Sequence, residues 1–576
     1  MVVSVLRADL REDAGDLQLC ARQESGCEAG IHSMHDIYQD DDTHGIIQVD
    51  ANNAFNTINR NVFLHNIRII CPEISTFVSN CYQRPARLFV VGGIEISSLE
   101  GTTQGDPTAM YVYALGILPL IIVLSEPISV SEKVRQSAFA DDLAGGGTLV
   151  QLRRWWDTII EMGKYIGYSA KPSKSWLIVK EEYYDIAVEM FEGTGIQITK
   201  EGKRHLGAVI GSADFKHEYV TDLINGWIEA LKNLNIIAKV EPHLAYTAYV
   251  FGFQHKYTYF LRTIPSISNE LKRLDAAIDE YLLKPILNNY NYNYSERLWY
   301  SLPPRKGGLG IIIPSEVSDT FYKNSRYMTS ELVDRIVNQN VAEPREFDVH
   351  PSKHEIRTEK THREDEKLNY VKSTLNEAKT RLLEAITEKG ASSWLTAMPI
   401  KEHGFYLSKQ VFWDTVYLRY GIQVPRLPIN CVCGKSFNVE HALTCKTGGY
   451  INTRHNDIRD FTAELLNEVC NDVEVEPLLT PLTGEAFKYK SAIKDDNARL
   501  DLSARGVHVK GSKVFYDVRV FNPLAPVYRK QTLKAAHKSN ENAKKREYRE
   551  REYRMSNMPH SPHLSSHVLV VWASNV

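Results

Sequence analysis

Over residues 1 to about 215 short β-type apolar runs alternate with helical ones, the mixture an α+β region produces. One β-type run, Gly45-Ile46-Ile47-Gln48-Val49, ends on Asp50. A longer apolar run from Ala109 to Ser125 is interrupted by Gly116 and Pro119. It falls short of the roughly 20 residues that a membrane span needs, so the pattern predicts a buried helix and no membrane partner. From Lys216 to about Val337 the spacing becomes helical, with Leu223, Ile224, Trp227, Leu231 and Leu234 returning at intervals of a turn. Glu343 to about Lys367 is dense in charge and histidine without apolar periodicity and reads as a solvated linker, followed by a helix through Glu388. Further on, Ile458, Phe461, Leu465 and Val469 mark one face of an amphipathic helix over Asp457 to Cys470.

Composition adds bounds. A chain of 576 residues holds several domains, and 43% hydrophobic with 24% charged residues is ordinary for a globular protein. The net charge of −3 gives no global nucleic-acid signal, so any basic surface must be local. Arg529 to Arg554 is such a place, with ten Lys or Arg against four Glu, and suits either a phosphate-contacting helix or a solvated one. Eight cysteines are few for this length, and three of them crowd between Cys431 and Cys445, which argues against a secreted disulfide framework. Met1 to Leu10 has no signal-peptide core, so the expectation is a cytosolic or nuclear protein.

The strongest chemistry lies in Phe139-Ala140-Asp141-Asp142, about ninety residues downstream of Asp50. Two adjacent carboxylates at the tip of an apolar hairpin, with a third ending a neighbouring strand, are what a two-Mg²⁺ phosphoryl-transfer site requires. Asp-Asp is also ordinary turn chemistry, and an Asp at a strand end is often a helix N-cap. The order of elements is more specific than any one of them. Phe55 follows Asp50 by five residues, close enough to stand beside a nucleotide sugar. Between the carboxylate elements lies Glu100-Gly101-Thr102-Thr103-Gln104-Gly105-Asp106-Pro107, a Gly/Pro-broken loop whose backbone could approach a base pair. The chain therefore reads as a nucleotide polymerase.

These residues resemble motifs A, B and C of reverse transcriptases, and the chain is similar to a non-LTR retrotransposon protein. Gly167-Tyr168-Ser169-Ala170-Lys171-Pro172-Ser173-Lys174-Ser175 resembles the lysine-bearing motif D, and His205-Leu206-Gly207 resembles motif E at the primer strand. The resemblance implies a right-hand polymerase, with the palm and partial fingers over 1–215 and a helical thumb over 216–337. It implies that Asp50, Asp141 and Asp142 hold Mg²⁺ and that Phe55 excludes a ribose 2′-hydroxyl. Gln104 and Gly105 would line the template–nucleotide pocket, and Lys174 would protonate the departing pyrophosphate. The implied partners are an RNA template, a DNA primer or target and deoxynucleoside triphosphates, in the nucleus. Upstream of Gln23-Glu24-Ser25-Gly26-Cys27 nothing supplies the earlier fingers motifs, so the resemblance also implies an amino-terminally truncated copy.

After a charged linker and helix over 338–399, metal-ligand spacing announces a second module. Cys431-x-Cys433, seven residues to His441 and three to Cys445 give a CCHC set within fifteen positions, which predicts a structural Zn²⁺ site in a region spanning 400–456. His455, in Thr453-Arg454-His455-Asn456, is a spare candidate ligand or a packing residue at a helix start. Then come Ala498-Arg499-Leu500-Asp501 and, sixteen residues after that Asp, Asp517 at the start of a Val/Phe strand. Two carboxylates joined through a short hairpin form the skeleton of a Mg²⁺-dependent nuclease core. Following a zinc knuckle, they resemble the restriction-like endonuclease that one class of non-LTR retrotransposons carries after the polymerase, here over 457–576. The family's usual lysine is replaced by Arg519, so the cationic role falls to Arg519, Lys544 or Lys545. Arginine stabilises charge but is a poor general base.

The expected function is thus RNA-directed DNA polymerisation, primed at target DNA nicked by the endonuclease. The rival from another class is a catalytically inactive remnant that binds nucleic acid. A third reading, an RNA-templated RNA polymerase, is disfavoured by Phe55, because such an enzyme needs room for the 2′-hydroxyl.

Overall fold

The computed structural model describes residues 15–21, 23–103, 105–126, 133–339, 353–448, 450–479, 489–507, 513–555 and 568–574. The chain is a mixed α+β protein that divides into two compact units. The first comprises Met1–Ile237, Ala248–Leu283 and Ile312–Arg363; the second comprises Ala238–Thr247, Lys284–Ile311 and Glu364–Val576.

In the first unit, helix α1 (Gly26–Gln39) precedes strand β1 (Gly45–Val49), then helices α2 (Arg60–Ile70) and α3 (Pro72–Tyr82) and a hairpin of β2 (Ala86–Val90) and β3 (Ile94–Ser98). Helix α4 (Ala109–Ser125) leads to β4 (Arg135–Phe139), β5 (Asp142–Gly147), α5 (Leu149–Ile166), β6 (Trp176–Val179) and β7 (Gln197–Thr199). A second hairpin, β8 (Gly202–His205) and β9 (Ala208–Gly211), precedes the long helix α6 (Ala213–Val240), and α7 (Pro314–Asn338) returns to the unit later. The main sheet has the order β4-β5-β1-β6-β7, antiparallel except for the β6–β7 pair.

β1 reads as an almost unbroken apolar run because both its faces are covered. Ile47 and Val49 join the core built with α2, α4 and α5, including Phe63, Leu115 and Trp156, while Ile46 joins Ile37, Ala144, Val333 and Ile336 on the other side. Successive strand residues point to opposite faces, so one five-residue strand serves both cores. Covering helices must approach β5 closely, and its Leu-Ala-Gly-Gly-Gly sequence permits that. A Cβ placed on Gly146 would lie 2.4 Å from Cγ2 of the fully buried Ile37. Helix α4 is buried along most of its length, and among the described residues no helix is long and apolar enough to cross a membrane.

Helix α8 (Lys353–Thr374) runs through the boundary between the units. The solvated linker expected through Lys367 is therefore helical from Lys353 onward, while residues 340–352 lie outside the described part. Its Glu, Lys and Arg are good helix formers that need no apolar face, and Arg363 pairs with Glu359 at 3.3 Å one turn away.

The second unit contains α9 (Glu377–Ile386), α10 (Lys409–Tyr420), α11 (Ile451–Val469) and a four-stranded sheet of β10 (Asn471–Val475), β11 (Leu502–Arg505), β12 (Lys513–Phe521) and β13 (Val568–Ser574). Helix α12 (Leu533–Met555) follows β12. An edge-to-face cluster of buried Trp299, Tyr300 and Tyr420 anchors α10, with ring centroids 5.0 and 4.8 Å from Tyr420. From α9, Arg381 donates to the carbonyls of Pro523, Tyr528, Arg529 and Gln531, so one guanidinium gathers the loop that enters α12.

Two expectations about this unit are corrected. Phe461, Leu465 and Val469 of α11 are 58%, 48% and 79% exposed, so they are not its packing face. The stripe that turns inward is His455, Arg459, Ala463 and Leu466, where Ala463 and Leu466 pack on the sheet residues Leu502, Ala504, Val514 and Tyr516 and the two polar side chains find partners. Asp517 also stands in the middle of β12, which starts four residues earlier at Lys513.

The close helix–strand approach makes Gly146 a sensitive position. Gly146→Ala is expected to lower unfolding free energy by about 1–3 kcal/mol through overpacking against Ile37. Denaturant titration checks this, and a variant as stable as the parent would show that α1 can move away without cost.

Candidate functional site

The register of the main sheet assembles the first group of carboxylates. Val49 pairs with Leu143, so Asp50, one residue beyond, continues toward Asp142 across the β1–β5 ladder. Asp142 in turn pairs with Phe139, leaving Ala140-Asp141 as a two-residue connection. Ala140 takes φ 57°, in the left-handed region, and is held there by side chains. The carboxamide of Gln18 accepts from the Ala140 N–H at 3.0 Å and donates to its carbonyl at 3.2 Å, while the Tyr168 hydroxyl donates to the Asp141 carbonyl at 2.9 Å. On the other side, the Asp50 N–H donates to Ser175 Oγ at 3.2 Å and its carbonyl accepts from the Lys171 N–H at 2.8 Å.

Crowding of like charges is visible in the electrostatics. Although the Asp142 side chain reaches solvent, loss of hydration first, then the charges of Asp141 and Asp50, push its carboxyl up to about 6. Burial also raises Asp141, with Asp50 adding to it. The charges of the neighbouring acids add to the loss of hydration that already favours the neutral carboxyls.

Phe55 stacks on Tyr113 beside this group, with centroids 4.4 Å apart and planes at 25°. Burial raises the Tyr113 hydroxyl, and the charges of Asp141 and Asp142 add to the shift. The Phe55 carbonyl accepts from the Thr102 N–H at 2.6 Å, so the loop after β3 is tied to Phe55. Buried Arg60 fastens the same loop, donating from Nε to the Gly101 carbonyl at 2.9 Å and from Nη1 to the Ser98 carbonyl at 2.8 Å. Gly105 is exposed at φ 92°, and Gln104 lies outside the described residues. Lys174 ends a short turn, Pro172–Lys174, and its side chain is exposed to solvent rather than drawn into the carboxylate group.

Cys431, Cys433, His441 and Cys445 come together, their ligand atoms all within 4.8 Å of one another. The Cys431 and Cys445 sulfurs are 3.8 Å apart, and Cys433 Sγ is 3.2 Å from His441 Nε2. Zn–S and Zn–N bonds of about 2.0–2.3 Å at tetrahedral angles need separations of this size, so the residues fit a zinc ion. Local structure presents each ligand. Asn438 caps the short helix that carries His441, and Gly448 passes so close to Cys431 that a Cβ there would meet its sulfur at 2.7 Å. The Gly448 N–H donates to Cys445 Sγ at 3.3 Å, the leading cause that lowers this thiol to about 6 and prepares it as a thiolate ligand. Among the described residues this is the one group of three or more such side chains close enough to share an ion.

A second pair of carboxylates forms on the four-stranded sheet. Leu502 pairs with Tyr516, so Asp501, just before β11, continues toward Asp517 on β12. Asp517 is 2% exposed; Oδ1 accepts from Lys544 Nζ at 3.2 Å, and buried Oδ2 has no hydrogen-bond partner. Burial raises its carboxyl to about 6, with Lys544 opposing and Asp501 adding to the shift. Asp501 Oδ2 accepts from the Val518 N–H at 2.5 Å and lies 3.3 Å from His455 Nε2. Asp501 is the main cause that raises His455. Of the three candidate cations, Lys544 from α12 reaches the pair; Arg519 is exposed, and Lys545 pairs with Glu541 at 2.5 Å.

Sequence reading missed several of these partners. Gln18 lies in a stretch without periodicity and gave no signal. Tyr168 stood in a segment noted for its lysine, and His455 was noted as a spare zinc ligand but faces Asp501 instead. Compared with known proteins, the chain matches no family model and no curated protein.

Two expectations follow. A carboxyl whose folded pKa is raised destabilises the fold once ionised, so Asp142 should cost metal-free protein stability as pH rises from about 4 to about 6. Asp142→Asn should therefore melt higher than wild type in chelator near neutral pH, with the difference gone at about pH 4; equal melting at both would show that the charges are not in conflict. For the cysteine cluster, metal analysis should find one zinc per chain, and Cys445→Ser should lower both zinc content and the stability of that module. Full zinc occupancy in the variant would remove Cys445 from the ligand set.

Proposed function

We propose that this protein is an RNA-directed DNA polymerase whose first unit contains the right-hand palm and that its second unit carries a zinc-braced endonuclease. The observation that supports the polymerase reading best is the register that sets Asp50 toward Asp142 across β1–β5, with Asp141 on the intervening turn and two of the three acids raised. A mere turn or cap has no reason to gather three acids at one sheet end.

In this reading Asp50, Asp141 and Asp142 would hold Mg²⁺, which supplies charge neutralisation for the attacking 3′-hydroxyl and the leaving pyrophosphate. The acids do not enclose an ion by themselves, so water and substrate phosphate would have to complete its shell. Positioning falls to the protein. Phe55, backed by Tyr113, presents a flat ring at the place of the sugar, and the loop around Gly105 is tied to it through Thr102. Reach from primer terminus to incoming nucleotide then depends on a fixed strand end rather than on a flexible side chain, which is how most of the rate in phosphoryl transfer arises. Lys174 is left as an exposed group that would act only when a triphosphate is bound.

In the endonuclease, Asp501 and Asp517 would hold Mg²⁺, Lys544 would stabilise charge on the scissile phosphate, and His455 would fix the orientation of Asp501. Asp517 Oδ2, buried without a partner, is the kind of atom a cation would satisfy. Nicked target DNA would supply the primer, the element's RNA would supply the template, and the setting would be the nucleus.

Purified protein with an RNA template, an annealed DNA primer, deoxynucleoside triphosphates and Mg²⁺ provides the test. Asp141→Ala should abolish extension, by orders of magnitude, while the chain stays folded. Asp517→Ala should abolish nicking of duplex DNA and leave extension of a pre-annealed primer intact. Wild-type protein that extends no primer would instead favour a nucleic-acid-binding remnant.

A further inference from the structure

Residues 15–21 add to the edge of the main sheet next to the acidic turn. The Ala138 N–H donates to the Leu17 carbonyl and the Leu19 N–H donates to the Ala138 carbonyl, both at 2.8 Å. Between them Gln18 is fully buried, with its carboxamide spanning both main-chain groups of Ala140. Together with the Tyr168 hydroxyl on the Asp141 carbonyl, three of the four main-chain polar groups of the turn are fixed by side chains from outside it. Such fastening is unusual for a two-residue turn, which ordinarily needs only its own strand pairing. It is needed here because Ala140 occupies a left-handed conformation that an alanine does not choose by itself. The backbone that bears Asp141 and Asp142 leaves this residue directly, so any relaxation of Ala140 would swing both acids.

We propose that Gln18 is a positioning residue of the polymerase site, holding the Ala140-Asp141 turn in the one conformation that presents both acids to the reacting phosphates. The assignment rests on the polymerase reading given above. A carboxamide is suited to the role because it offers a donor and an acceptor from one planar group. Glutamate has the same shape but, when ionised, can only accept, so it would set a negative oxygen against the Ala140 carbonyl and beside Asp141. A protonated glutamic acid recovers the donor.

Gln18→Glu and Gln18→Ala in the full chain test this by two independent measurements. Amide hydrogen exchange over residues 139–143 reads the turn without reference to catalysis, and it should be about tenfold faster than in wild type in Gln18→Ala, and in Gln18→Glu wherever the glutamate is ionised. Primer extension should show kcat down by about tenfold or more, with the KM for nucleotide within about twofold. The Gln18→Glu activity, relative to wild type, should recover as pH falls and the donor returns. A residue that merely packs would lower melting temperature without that pH signature. Unchanged exchange in Gln18→Ala overturns the clamp, and faster exchange with kcat within about twofold of wild type overturns its role in positioning. If wild-type protein extends no primer at all, the polymerase reading falls and the positioning role with it, whatever the exchange data show.

Discussion

The antiparallel pairing of β1 with β5 is the constraint on which the first unit is built. It fixes which residues face each core, it sets Asp50 toward Asp142, and a slip of one residue would exchange Ile47 and Val49 with Ile46 and Gln48 between the two sides. That slip is prevented from both faces at once, because each core already has a counterpart waiting for its own half of the strand. The register of the acidic end is therefore a by-product of apolar burial along the strand. The acidic end is anchored by packing in the middle of the strand.

The same arrangement concentrates unfavourable terms. Three acids share one sheet end, Ala140 is held in a left-handed backbone conformation, and buried Asp517 leaves an oxygen unsatisfied on the other sheet. Natural folds tolerate such local conflict where it serves a site, with compensation elsewhere. Here the compensation is visible as Gln18, Tyr168 and Lys544, polar side chains recruited from distant positions in sequence onto single main-chain or carboxylate groups.

What was legible in the sequence was local. The strand before Asp50, the hairpin ending in Asp141-Asp142, the apolar helix after Pro107 and the spacing of Cys431, Cys433, His441 and Cys445 each lie within a few residues, where periodicity and ligand spacing carry information. The rest depends on long-range contact. Arg519 and Lys544 were equivalent as candidates until β12 and α12 were in place, and only the fold brings the lysine to Asp517. The apolar residues of α11 misled, because Phe461, Leu465 and Val469 have the right spacing for a core face but the helix turns its smaller stripe, centred on Ala463, to the sheet. Charge without periodicity in 353–367 suggested irregular chain, whereas helix propensity alone sufficed.

Arg381 bears on how such a chain could be shuffled. Its guanidinium holds four carbonyls of the loop that launches α12, and α12 delivers Lys544 to the buried aspartate. A seam drawn at the cysteine cluster would leave that loop behind without its clasp. The smallest portion that recombination could pass intact between proteins therefore begins upstream of Asn376, whose side chain caps the helix bearing Arg381. Inheritance of the Asp501 and Asp517 pair is tied to a helix that supplies neither acid nor the lysine beside them.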